Sequence, residues 1–557
     1  MPAQPAYIDI VKRKKAEQLS RIPKEWFLES LPDDNISNVT HIPRECGLLS
    51  ARELEITETY DAVELADKIQ KRAYSCYEVT VAFCKRAAIA QQLLNCLTEI
   101  FFDKALERAK FLDQQLEHGL PLGPLHGVPV SLKDSIDVPG YDSSSGVTAL
   151  CFRPAKEKSS IVVVLENAGA VCYCKTNIPQ TMMALDSVNH VFGRTLNPLN
   201  RKLTAGGSSG GEGALIGFRG SLLGIGTDIA GSIRIPAMCQ SIYGVKPSSS
   251  RFSSNVAATE IMVPGVFSVG LSYAHGPLAT SLRSCELLLK VVADGKLWER
   301  EPHVVFSPWR SIQSEPRQRQ MKFLILMTDL VTTPLPPIER VLRETATQLQ
   351  ARGHKAVILE NPPKFIKQLH GLSNKLVNIE GSHRTSDLLD ATSEPKVPWV
   401  AARMKRRDPA TLKQLLELHD SREKLVVESW KLWNYGGEDF DAIISPVAPH
   451  PTPRPDDWNG AGYTTMFNLL DWPCGAIPAR NVTREDLEAP LGIETGTGWD
   501  KYNRTALWDI KECYLGSPLS LQVVGKKLQE EELLQAMYVV DDAVSMTRGP
   551  PARDHKL

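Results

Sequence analysis

Between Thr204 and Arg251 the chain places 11 glycines in 48 residues and interleaves them with apolar runs such as ALIGF and LLGIG. A solvated Gly/Ser linker carries no such runs. The segment therefore has to pack, with glycine used where backbones approach closely or φ turns positive. Around it, HGVPVSLKDSIDV and SSIVVVLENAGAVCYCKT alternate short β-branched runs with helical stretches, KFLILMTDL reads as a strand, and DAIISPVAPHPTP and GSPLSLQVVG return to strand and turn. That alternation predicts an α/β architecture. From Asp61 to Ala90, apolar residues three and four apart predict amphipathic helices. The polar first fifty residues, with scattered Trp and Leu, predict a helical extension over residues 1–60 wrapped on a main body of residues 61–557. No composition break marks a further boundary, so one large domain is expected.

Hydrophobic residues make up 42% of the chain and charged residues 23%, with a formal net charge of -1. Such a balance supplies no basic field for phosphate backbones, which argues against nucleic acid as a partner. The N-terminus lacks the apolar core of a signal peptide, and no run approaches the roughly 18 apolar residues of a membrane span. The expectation is a soluble, cytoplasmic protein without an integral membrane segment; the terminal HKL is similar to a peroxisomal address, with His555 where a small residue is usual. The 11 cysteines include no CxxC pair. Cys172 and Cys174, two apart, would share one face of a strand and read as small buried hydrophobes rather than metal ligands.

Two segments offer a nucleophile. GSSGG, from Gly207 to Gly211, fits the G-x-S-x-G elbow with Ser209 attacking, but the residues before it, NPLNRKLTA, are polar and broken by proline where that motif needs a buried strand. In GIGTDIAGSIRIPA a strand-like LLGIG runs into a turn of small residues and then Ser232. A serine there either has an exposed hydroxyl beside converging backbone N–H groups, as an oxyanion requires, or caps a short helix. A serine nucleophile needs a base. No histidine motif supplies one, but Lys133 ends the apolar stretch VPVSL, and burial disfavours its ammonium form and frees the amine.

GVPVSLKD, KTNIPQTM, GGSSGGEGALIG, GTDIAGSIRIP and YGVKPS occur in that order, with HIPRECGLLSARELEIT before them and PLSLQVVG and EELL after. Together they resemble the amidase signature family, in particular its fungal acetamidase-type members, over nearly the whole chain. The resemblance implies a single domain with a central twisted mixed β-sheet covered by helices on both faces. It implies Lys133 as catalytic base, Ser208 as bridging serine after a cis peptide from Gly207, and Ser232 as nucleophile. The amides of Ile229, Ala230, Gly231 and Ser232 are then the oxyanion hole, with Ser209, Asp228 and Arg234 in support and Met182 and Met183 near an acyl pocket. The implied reaction is hydrolysis of a small-molecule amide through an acyl-Ser232, without metal or organic cofactor, in a possible homodimer. Two other readings stay open: an acyltransferase or pathway-specific amidase on the same fold, and a non-catalytic binding protein. The chain departs from many members in having Ala230 where glycine is common and Thr280 where arginine is common.

Overall fold

The computed structural model describes residues 6–120, 122–253, 269–271, 273–311 and 319–548; the HKL terminus lies outside the described residues. Among the described residues thirteen strands appear: β1 Leu97–Ile100, β2 Pro129–Lys133, β3 Val171–Thr176, β4 Val188–Asn189, β5 Gly193–Arg194, β6 Leu223–Asp228, β7 Tyr243–Lys246, β8 Ala274–Ala279, β9 Lys322–Leu326, β10 Lys355–Leu359, β11 Ala442–Pro446, β12 Cys474–Asn481 and β13 Pro518–Val524. Eleven of them form one mixed sheet in the order β1-β3-β2-β6-β8-β7-β12-β13-β11-β9-β10, and β4 and β5 pair separately. Helices cover both faces of the sheet, among them Glu530–Arg548 against β12 and Gly210–Gly217 against β2, β3 and β6.

Local chemistry explains the helix starts. Ser50, Asp61 and Ser75 each accept from the backbone three residues on, while Glu53, Glu64 and Glu78 return the bond, closing three capping boxes. The stretch from Asp61 to Ala90 forms the helices Ala62–Gln70 and Cys76–Leu94. The β-branched run Ile161–Val164 is helical, within Ser160–Asn167. Its buried face, Ile161, Val162, Val164 and Leu165, outweighs the modest cost of β-branching in a helix. The cysteines of β3 are buried, and all 11 cysteines are free thiols.

Residues 6–60 are helical in part, starting with Ala6–Ser20. Lys14 of that helix is buried between Glu99 and Asp142, at 2.5 and 2.7 Å, and Ile22, Trp26 and Ile56 join the same apolar cluster as the sheet residues Val130 and Ile225.

What matters for chemistry is the parallel pairing of β2 with β6, Ser131 opposite Gly224 and Leu132 opposite Ile225. Both strands end at the same edge, so Lys133 at the end of β2 meets Thr227 near the end of β6. The carboxyl ends of parallel strands are where α/β sheets collect ligands.

Candidate active site

Lys133 is 0% exposed, yet among the described residues no carboxylate is hydrogen-bonded to it. Its Nζ lies 2.7 Å from Ser208 Oγ, 2.7 Å from Thr227 Oγ1 and 3.4 Å from the Thr227 carbonyl. Burial pushes its proton affinity down to about 7 against the pull of Asp228, Asp134 and Glu212. Burial thus shifts Lys133 toward its neutral amine.

The peptide bond between Gly207 and Ser208 is cis. A Cβ on Gly207 would lie 2.7 Å from the Ala184 carbonyl and 2.8 Å from Asp186 N, so only glycine fits there. Ser208 and Ser232 are 3% and 4% exposed, and Ser209 N–H donates to the Ser232 carbonyl at 3.2 Å, tying the two serine segments together. Ser209 is fully buried, with its Oγ 3.4 Å from both the carbonyl and the N–H of Thr227. The hydroxyl that the local elbow pattern favours is thus occupied in holding the end of β6.

Ser232 does not cap a helix. The next helix is Arg234–Gln240, its N-cap is Ile233, and no side chain caps it. The turn from Ile229 to Ser232 is held from outside. Asp228 accepts from Gly231 N–H at 2.7 Å, from Ile233 N–H at 3.1 Å and from two nitrogens of Arg234, each at 3.0 Å. Burial opposes a charged Asp228, but Arg234 beside it holds the carboxyl far below the usual carboxylate range. Arg234 in turn donates to Gln522 Oε1, Asn468 Oδ1 and the Thr464 carbonyl, while Thr464 Oγ1 donates to the Ala230 carbonyl at 2.6 Å.

This frame alters one expectation. The Gly231 N–H is spent on Asp228, leaving the amides of Ile229, Ala230 and Ser232, which have no hydrogen-bond partner among the described residues. Gly231 itself has φ +114, and a Cβ there would meet Thr464 Oγ1 at 2.5 Å. Ala230, by contrast, is not among the residues of positive φ, so its methyl fits the turn. Thr280 follows β8, with its N–H on the Leu222 carbonyl at 3.1 Å.

The two methionines diverge. Met182 packs with Val147, Leu150 and Tyr273, whereas Met183 lines a small recess, with a volume of about 20 Å³, shared with Ile229, Leu271, Leu376, Met404 and the polar Asn378, Glu380, Ser382 and Thr385. Sequence reasoning missed Thr227 as the second partner of Lys133. It also missed Thr464, Asn468 and Gln522, which reach the turn from more than two hundred residues away and leave no local signal.

A solved structure titled "Fatty acid amide hydrolase" superposes with a TM-score of 0.87 over 97% of this chain and 95% of that one, at 29% identity. A putative amidase of Schizosaccharomyces pombe is 36% identical over 94% of this chain and 96% of its own length, and an acetamidase of Emericella nidulans is 34% identical over 94% and 96%. Fold and kinship define an amide hydrolase. The family model described as Amidase matches residues 78–534, and the chain belongs to the amidase signature family.

Proposed function

We propose that the protein is a serine amidase that converts a small or medium-sized carboxamide to a carboxylic acid and ammonia or an amine through an acyl-Ser232. The observation that carries this reading is the buried Lys133 amine, 2.7 Å from Ser208 Oγ and without a carboxylate bound to it. A neutral amine has two N–H bonds and one lone pair. With the two bonds directed at Thr227 Oγ1 and the Thr227 carbonyl, the lone pair faces the Ser208 hydroxyl. Lys133 then takes the Ser208 proton as Ser208 takes that of Ser232, and Ser232 Oγ bonds to the substrate carbonyl carbon.

The oxyanion so formed is met by the amides of Ile229, Ala230 and Ser232, held by the Asp228–Arg234 frame before substrate arrives. Returned through Ser208, the proton leaves on the departing nitrogen as the C–N bond breaks. Water attacks the acyl-enzyme with the same relay as base, which regenerates Ser232. The acyl group is assigned to the side of the turn where Met183 and Ile229 border a small recess of mixed apolar and polar lining.

The test is amide hydrolysis over primary amides of increasing acyl length, by wild type and by Ser232→Ala. The account expects loss of at least about a thousandfold in kcat in the variant, because nucleophile and relay act as a unit. Hydrolysis retained in Ser232→Ala would overturn it. Added competing amines should yield no new amide, since the reading assigns water as the acceptor.

A further inference from the structure

The helix Gly210–Gly217 starts two residues after Ser208 and carries one charged side chain, Glu212, which is 0% exposed. Its carboxylate lies on the sheet face beneath the relay. Ser131 Oγ of β2 donates to Oε1, and Thr176 Oγ1 of β3 donates to Oε2 at 2.6 Å. Ser131 precedes Lys133 by two residues on one strand, so both side chains leave the same face. Thr176 is the register partner of Lys133 on the neighbouring strand. The carboxylate is thus anchored beside Lys133 on one strand and opposite it on another. On the third side is Gly224 of β6, where a Cβ would come within 2.4 Å of Ser131 Oγ and overlap Glu212 itself. A glycine in a central strand is ordinarily a weakness; here it makes room for a buried acid.

Charge bookkeeping singles this acid out. Four titratable groups face Lys133: Asp228, Asp134, Glu212 and His275. Asp228 is matched by Arg234, with Lys246 nearby. Asp134 faces Lys175 and accepts the Ser145 N–H at 2.8 Å. His275 is buried with its Nδ1 on the Ser253 carbonyl, and burial pushes its proton affinity down. Around Glu212 itself stand Tyr173, Cys96 and Cys174, whose protons burial holds on well above neutral pH. Glu212 alone among the three acids is hydrogen-bonded only to hydroxyls, and Lys133 is the cation that acts on it.

We propose that Glu212 is a positioning residue for the relay: it is a counter-charge, beside those of Asp228 and Asp134, that helps set how readily Lys133 accepts the Ser208 proton, without touching substrate. This rests on Lys133 acting as the base. Burial pushes Glu212 up to about 7, into the range where Lys133 also titrates. Each charge favours the charged form of the other. As Lys133 becomes an ammonium during acylation, the neighbouring carboxylate stabilises the new charge.

The pH profile of kcat/KM for a primary amide tests this, on wild type, Glu212→Gln and Lys133→Ala. Glutamine keeps an acceptor and a donor for Ser131 and Thr176 but cannot carry charge. The ammonium then loses its unmatched anion, so the acid limb is expected to move about one pH unit lower. The rate on the high-pH plateau is expected to fall with KM little changed. Thr176→Val, which removes a donor that stabilises the carboxylate, should move the limb the same way by less, and it gives the answer should Glu212→Gln fail to accumulate. A limb that stays in place in whichever variants fold, even with a uniformly lower rate, would overturn the inference and leave Glu212 a packing residue. Were the limb to persist in Lys133→Ala, the relay reading itself would fail; if it vanishes there but does not move in Glu212→Gln, only the Glu212 inference fails.

Discussion

Lys133 shows how the burial of a single side chain is costly to folding while suiting it to the base role proposed for it. Its folded proton affinity, about 7, lies below the 10.5 of an ordinary lysine. The buried amine therefore costs stability in full below about pH 7, and the cost is relieved as pH rises toward 10.5. Lys133→Met should abolish hydrolysis yet unfold in urea at higher concentration at pH 7, a gain on the order of 2 kcal/mol, because methionine removes the penalty while filling the space. The gain should shrink at pH 9.5, and a gain independent of pH would show that burial of the amine is not its source. Thr227 is the other residue with a directional task. Removing its hydroxyl in Thr227→Val should lower kcat by roughly 10- to 100-fold through misorientation of the amine, whereas Thr227→Ser should recover most of the rate. Part of this constellation drew attention in the sequence: GSSGG pointed locally to Ser209, GIGTDIAGSIRIPA to Ser232 and the end of VPVSL to Lys133, while Ser208 entered only through the resemblance to the amidase signature family. Thr227 did not, since its bond to Lys133 depends on the register of β2 against β6, which no local pattern encodes.

At the scale of elements, the turn from Ile229 to Ser232 is the part that must be rigid, and its rigidity comes from elsewhere in the chain. Gly231→Ala places a Cβ at φ +114 and against Thr464, so it should lower kcat by more than tenfold with KM nearly unchanged, the mark of an interaction made in the transition state. Ala230→Gly should change kcat less than about threefold, because alanine already fits. Steady-state kinetics on the two variants separate these outcomes. The glycine density of the segment revealed that something passes close by. It did not reveal that Thr464 of the helix Gly462–Leu469 is what passes, or that Asp228 takes one of the four amides expected to face the substrate. Strand and helix types followed from periodicity, with Ile161–Val164 the exception where burial of one face overrode β-branching.

For the whole molecule, Ile22, Trp26 and Ile56 share one apolar cluster with the residues of the sheet. Lys14, buried between Glu99 and Asp142, ties the first helix to β1 and to the loop after β2. Lys14→Ala takes the paired cation from buried Asp142 and leaves Glu99 with Arg21 alone, and should destabilise the protein by about 3 kcal/mol, seen as one shifted unfolding transition rather than an early partial one. The order of the eleven strands was not legible in the sequence, because only long-range pairing fixes it. No helix among the described residues is long and apolar enough to cross a membrane. The central claim is that Ser232 attacks through Ser208 with neutral Lys133 as base, and peptide mapping after reaction with a fluorophosphonate probe tests it most directly. The account predicts one adduct per chain, on Ser232, forming faster as pH rises through about 7 and nearly absent in Lys133→Ala. An adduct on Ser208 or Ser209 instead, or a labelling rate indifferent to Lys133, would contradict it.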